Sequence, residues 1–162
     1  MRAFFLLSTC LLVLSGCGYS SAFRAPSGVR TVAVPTFNNA TFPLRRELEY
    51  ELTSAVRREI LSRTNFKLVD SRDADLVIHG TIREFRQPVM AEGSRDQVLE
   101  STLVISVAVT VEDYASGKRW QENVRKEEPY SVQLGETVDQ ARNRAIVNLA
   151  ERILLVVESW DE

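Results

Sequence analysis

Cys17, at the end of Leu14-Ser15-Gly16-Cys17, has the most specific chemistry in this 162-residue chain. A cysteine behind small residues, closing a short apolar leader, fits the lipobox of bacterial lipoproteins. There the sulfur takes a diacylglyceryl group and the cysteine becomes the new N-terminus. Arg2 supplies the positive charge that opens such a leader, and Ala3 to Val13 is an apolar run broken only by Ser8 and Thr9, the pattern of a secretory signal. That run falls short of the about 20 residues that span a bilayer. Residues 1–16 therefore read as a lipoprotein signal peptide, and Cys17 as the lipidation site carrying palmitate-type chains. At about 0.8 kcal/mol per buried methylene, two or more chains anchor a protein durably. Gly18, rather than Asp, follows the cysteine, which favours outer-membrane over inner-membrane residence.

Elsewhere the chemistry is thin. His79 is the sole histidine, and a zinc site needs three or four ligands, so no metal site is predicted. A nucleophilic triad around His79 would need Ser106 or Thr81 beside it and an orienting acid. No G-x-S-x-G elbow is present, and the glycines are too scattered to cradle a phosphate. Asn39-Ala40-Thr41 matches an N-glycosylation sequon, which carries no weight in a bacterial lipoprotein. The chain reads as non-enzymatic, with no catalytic residue and no cofactor.

Composition narrows the partners. Apolar residues make up 44% and charged residues 26%, as in a globular chain rather than a disordered one. The net charge is −2, and loss of a leader that carries Arg2 and no acid takes it to −3. A chain so near neutral has no general attraction for nucleic acid. Cys10 leaves with the leader and Cys17 is acylated, so stability must come from a hydrophobic core rather than a disulfide.

The domain boundaries follow from local pattern. Residues 17–28 read as the lipidated N-terminus and a tether, rich in Ser, Pro and Gly. Residues 29–162 read as a single domain of ordinary size. Val29 to Val34 is a short β-branched strand ended by Pro35, with a loop from Thr36 to Thr41. Pro43 stands near a helix start, and Leu44, Leu48, Leu52, Ala55, Val56 and Ile60 recur at helical spacing. Arg45, Arg46, Glu49, Thr53 and Arg57 fall on the opposite side. A strand follows at Phe66 to Val69 and another at Asp75 to Arg86, with Val77, His79, Thr81, Arg83 and Phe85 on one face. Gln87 to Gln97 reads as a loop or irregular extension. Leu99 to Asp113 has the strongest alternation, and Lys118 to Lys126 returns after a turn at Asp113 to Gly117. Thr137 and Gln140 form a capping box ahead of a stripe running from Val138 through Leu149 to Trp160. Leu154 and Leu155 widen that stripe.

These elements predict an α+β fold: a two-layer sandwich, two amphipathic helices on one face of a mostly antiparallel four- or five-stranded sheet. The first strand–helix–strand crossover allows one parallel pair. With Leu103 to Val111 turned to the helices, the other face shows Thr102, Val104, Ser106, Ala108 and Thr110. Such short side chains predict a flat open floor. Arg83 on the preceding strand and Arg119 and Arg125 on the following one would flank it. A low floor edged by guanidinium groups suits docking to a surface or to a phosphorylated lipid.

The assembled residues resemble the LptE family of lipopolysaccharide-assembly lipoproteins. The resemblance rests on Cys17-Gly18-Tyr19, on Val32-Ala33-Val34-Pro35-Thr36-Phe37-Asn38-Asn39-Ala40-Thr41, on Leu48-Glu49-Tyr50-Glu51-Leu52-Thr53, and on Asp75-Leu76-Val77-Ile78-His79-Gly80-Thr81-Ile82. It implies a lipoprotein subunit of the outer-membrane lipopolysaccharide translocon. Such a subunit plugs and helps assemble a large β-barrel partner of the LptD kind, and binds lipopolysaccharide. The alternative is a lipoprotein adaptor of another envelope complex, binding periplasmic proteins or peptidoglycan.

Overall fold

A computed structural model describes Phe23, residues 25–92 and residues 98–159. The leader, Cys17, Gly93 to Gln97 and Trp160 lie outside the described residues. The elements are β1 (Thr31–Ala33), β2 (Asn38–Asn39), α1 (Leu48–Arg63), β3 (Lys67–Leu68), β4 (Leu76–Arg86), β5 (Val89–Glu92), β6 (Val98–Asp113), β7 (Arg119–Ser131) and α2 (Val138–Ser159).

The fold is α+β, but among the described residues its sheet is mixed and has seven strands rather than four or five. β1 pairs parallel with β3 and with β4, and β2 pairs parallel with β4. β4, β5 and β7 all pair antiparallel with β6. The extra strands come from segments too short to show a period of two. Asn38 and Asn39, expected in a loop, bond alongside Thr81 and Ile82. Val89–Glu92 extends the sheet with a broken register.

One hydrophobic core joins the helices to the sheet. It contains Leu52, Val56 and Ile60 of α1, Leu103, Ile105, Val107, Val109 and Val111 of β6, and Leu149 and Ile153 of α2. The alternation in β6 thus turns its larger set to the helices. Thr137 caps α2 as its spacing predicts: the Gln140 N–H donates to Thr137 Oγ1 (3.3 Å), and the Thr137 N–H to Gln140 Oε1 (2.9 Å). Leu154 is buried beside the stripe, whereas Leu155 is 59% exposed.

Several expectations about individual residues and bounds are corrected. α1 begins at Leu48, and Leu44 is exposed. Asn39 Nδ2 donates to the Arg45 carbonyl (2.6 Å) and to Glu49 Oε2 (2.7 Å), and the Arg45 N–H donates to Thr41 Oγ1 (3.0 Å). These bonds hold the segment in a turn, and Glu47, with φ of 71°, breaks any helix before it.

Thr53, placed by period on the polar side of α1, is buried instead. Its Oγ1 accepts the Phe37 N–H (3.0 Å) and donates to the Glu49 carbonyl (2.6 Å). Arg57 stays exposed, but its guanidinium reaches back to the Val34 carbonyl (2.6 Å).

Phe85 joins the core rather than the outer face. A bulge between Ile82 and Glu84 inserts one residue, which reverses the facing of everything beyond it. The final strand also runs to Ser131, past Lys126. Pro129 fits there because β7 is a sheet edge, where a missing N–H costs no ladder bond.

Candidate functional site

The helix-free face of the sheet holds every candidate residue except Cys17. Register fixes their positions. Arg125 lies directly opposite Ser106, and Ser106 opposite Glu84. Ala108 lies between Thr81 and Asn123, and Arg119 is opposite Glu112. Arg83 occupies the bulge beside Glu84 and is exposed. The structure therefore gathers Arg83, Ser106 and Arg125, with Ala108 next in line. Arg119 stands apart, six residues along β7 from Arg125, about 20 Å at the rise of an extended strand.

The floor is not an open apolar surface. Val104 and Ala108 are only 3% and 5% exposed, and Thr102 is buried as well. A lattice of charged side chains spans this face. Arg125 Nη1 lies 2.8 Å from Glu84 Oε2, and Arg125 Nη2 lies 3.0 Å from Glu127 Oε1. Arg86 pairs with the same Glu84 carboxylate. At the other end Arg119 pairs with Glu112, whose second oxygen is 3.9 Å from His79 Nε2. Arg83 has no carboxylate partner among the described residues.

Three guanidinium groups, Arg83, Arg86 and Arg125, thus share the Ser106 region with two carboxylates. The local excess is a single positive charge. An anionic ligand here must draw Arg125 and Arg86 away from Glu84 before it gains their hydrogen bonds. Exchange of one charge-assisted pair for another makes such a surface selective for multiply charged groups rather than for any anion.

Sequence reasoning missed Arg86, Glu84, Glu112 and Glu127. Glu112 and Glu127 share the alternation of Thr110 and Arg125, so that signal was present. Glu84 and Arg86 reach this face only through the bulge.

His79 is exposed in mid-strand opposite Thr110. Ser106 lies four residues further along β6, about 13 Å away. The residues facing His79 are Thr110 and, one strand on, Gln121. Among the described residues no three His, Cys, Asp or Glu side chains gather as a metal site, and no helix is long and apolar enough to cross a membrane.

Two further clusters are structural. Asp75 Oδ2 accepts the backbone N–H groups of Arg30 and Thr31, each at 2.9 Å. Those bonds, the Arg30 one foremost, hold its carboxyl below the usual aspartate range. Arg144 of α2 donates to the buried Glu128 of β7 (2.7 Å) and pairs with Glu136 (3.1 Å). The bond to Glu128 pushes the Arg144 guanidinium further up.

Two helices on a mixed sheet define an α+β domain, and that fold recurs in solved structures described as lipoproteins. The structure is similar to that of an uncharacterized lipoprotein B from Nitrosomonas europaea (TM-score 0.59, 14% identity, 90% of this chain and 92% of that one). It is similar to the rare lipoprotein B from Shewanella oneidensis (TM-score 0.57, 18% identity, 78% and 92%). A hypothetical protein from Chlamydia trachomatis shares it too (TM-score 0.59, 16% identity, 82% and 98%). A search among curated proteins returns no match. The family model described as LptE, lipopolysaccharide-assembly, matches residues 29–155. The chain belongs to that family, and at that level it is a protein of lipopolysaccharide assembly.

Proposed function

We propose that this chain is the lipid-anchored lipoprotein subunit of an outer-membrane lipopolysaccharide translocon. Acyl chains on Cys17 hold it at the membrane once a signal peptide of residues 1–16 is removed. Its single domain, residues 29–162, plugs and helps assemble a large β-barrel partner of the LptD kind. Its role is non-enzymatic. The ion-paired face around Arg83, Ser106, Ala108 and Arg125, with Arg119 at its far end, meets the phosphorylated part of lipopolysaccharide. The family match over residues 29–155 carries this reading, and the lipobox at Cys17 supports it.

Co-purification tests it. The tagged full chain, extracted in detergent, should bring down a large outer-membrane barrel, and its depletion should reduce surface lipopolysaccharide. A photo-crosslinker at Ser106 should capture barrel wall or lipopolysaccharide. Capture of periplasmic proteins or peptidoglycan instead, with the chain otherwise alone in extracts, would overturn the translocon role in favour of another envelope complex. Replacement of His79 by Ala should leave lipopolysaccharide assembly intact, whereas loss of assembly from a folded H79A chain would restore an enzymatic reading.

A further inference from the structure

Half of the outer rim of β7 has no backbone partner. Register with β6 is unbroken from Arg119 opposite Glu112 to Ser131 opposite Glu100. Successive residues therefore turn their backbone groups alternately toward β6 and away from it. The Lys118 carbonyl accepts the Asp113 N–H, and the Val132 N–H donates to the Leu99 carbonyl. Even-numbered positions thus serve β6 and odd ones face outward. Four outward groups are covered within the chain, one of them the Ser131 carbonyl, which accepts the Glu136 N–H (3.0 Å). Arg152 donates to the Arg125 carbonyl (2.9 Å), Arg144 to the Pro129 carbonyl (3.3 Å), and the Ser131 N–H donates to Glu136 (2.8 Å). At Arg119, Gln121, Asn123 and Glu127 the outward N–H and C=O groups have no partner among the described residues. Unpaired rims of this kind template strand addition.

The side chains along this rim are complementary to themselves. When Arg119–Glu127 is laid antiparallel on a second copy about Asn123, Arg119 falls opposite Glu127 on the outer face. Trp120, 46% exposed, falls opposite Lys126 on the helix side, where a cation and a ring attract. Gln121 falls opposite Arg125. The neighbouring registers are worse. A slide one way sets Arg119 against Arg125, and a slide the other way sets Arg119 against Pro129, which has no N–H to give. Below the rim, a cleft of about 260 Å³ runs between β7 and the end of α2, lined by Val124, Leu155 and Val156 among others. Leu155 is 59% exposed there.

We propose that β7 pairs antiparallel with β7 of a second copy, with the two-fold axis at Asn123, joining two sheets into one. The register sets each Arg119, already paired with Glu112, opposite the other copy's Glu127, already paired with Arg125, so that the pairs join into one network across the axis, and it covers the cleft beside Leu155. Arg152 is the opposing group. It occupies the Arg125 carbonyl in the single chain and must release it when the strands meet. The pairing shares Arg119 and Arg125 with the face assigned above to lipopolysaccharide, but its test reads self-association of the purified chain, so its failure leaves the translocon reading standing.

The test uses the full chain in detergent, purified free of other proteins. Asn123→Cys under mild oxidation should give a disulfide-linked dimer, with peptide mapping placing residue 123 on both sides. In sedimentation equilibrium Arg119→Glu and Glu127→Arg should each weaken association about tenfold, since each spoils two symmetry-related pairs. The double exchange should restore association to within about twofold. Arg152→Ala should strengthen it. Monomers at every concentration, a folded Asn123→Cys chain that does not cross-link, or an exchange without rescue overturns the proposal. Mass spectrometry of Cys17 in the same samples reports on the anchor separately.

Discussion

The Phe37 ring fills the space that a side chain at Gly80 would need. A Cβ built on Gly80 overlaps the Phe37 ring atoms, and both residues are buried on the helix side of β4. The glycine lets the β1–β2 connection lie flat on β4, and Thr53 then takes the Phe37 N–H from above. Gly80→Ala should therefore destabilise the domain by about 1–3 kcal/mol through overpacking. Phe37→Ala should cost about 3–5 kcal/mol through the cavity it leaves. The double variant should cost less than the sum, because the added methyl enters that cavity. Denaturant titration of the four chains checks this, and strict additivity would show that the two residues are not coupled.

How much of this was legible in sequence differs by element. β6 and α2 were readable because long runs repeat one period, and Thr137 with Gln140 marked the helix start with a reciprocal bond. β2 was not, since two residues carry no period and its pairing depends on β4, whereas β3 was readable as a strand at Phe66 to Val69 but its parallel pairing with β1 was not. Thr53 kept the helical period yet turned inward, because a loop N–H needed an acceptor that the sequence of α1 cannot reveal. At the site, Arg125 beside Ser106 follows from counting back across the Asp113–Gly117 turn. The bulge at Arg83 leaves no sequence mark, and it sends Glu84 to the outer face and Phe85 to the core.

Asp75 gives the fold a pH dependence of definite sign. Its carboxylate accepts the Arg30 and Thr31 N–H groups, which favour the charged form and lower its pKa in the folded chain. A depressed pKa binds fewer protons in the folded state than in the unfolded one. The stability it contributes is fully present above the ordinary aspartate range near pH 4 and is lost as pH falls through the lower folded value. Thermal midpoints measured from neutral pH down to about pH 2 should fall more steeply for the parent chain than for Asp75→Asn. Identical acid limbs would assign that slope to other carboxylates.

Cys17 should be the point that decides where the chain resides. If it carries acyl chains, intact mass spectrometry of membrane-extracted protein will show a diacylglyceryl-plus-acyl increment on the peptide that begins at Cys17. Because membrane residence is then a property of grease rather than of the folded body, Cys17→Ala should move the chain to the soluble fraction without altering its thermal transition. An unmodified thiol at Cys17 on membrane-bound protein would require another means of attachment.

Glu84 sets the threshold for anions on the outer face, because one carboxylate holds both Arg86 and Arg125. Removing that charge frees two guanidinium groups next to Arg83 and raises the local excess from one positive charge to two. Glu84→Gln should therefore tighten binding of purified lipopolysaccharide about three- to tenfold, in line with one charge-assisted bond no longer displaced. Arg83→Ala combined with Arg125→Ala should weaken binding by a comparable or larger factor. Arg119→Ala, about 20 Å away, should have a smaller effect. All these side chains are solvent-facing, so melting temperatures should barely move, which separates a binding effect from a folding one. If Glu84→Gln leaves affinity unchanged while the Arg83 and Arg125 pair lowers it, the carboxylate is a bystander. If neither change alters binding, lipopolysaccharide meets the protein elsewhere.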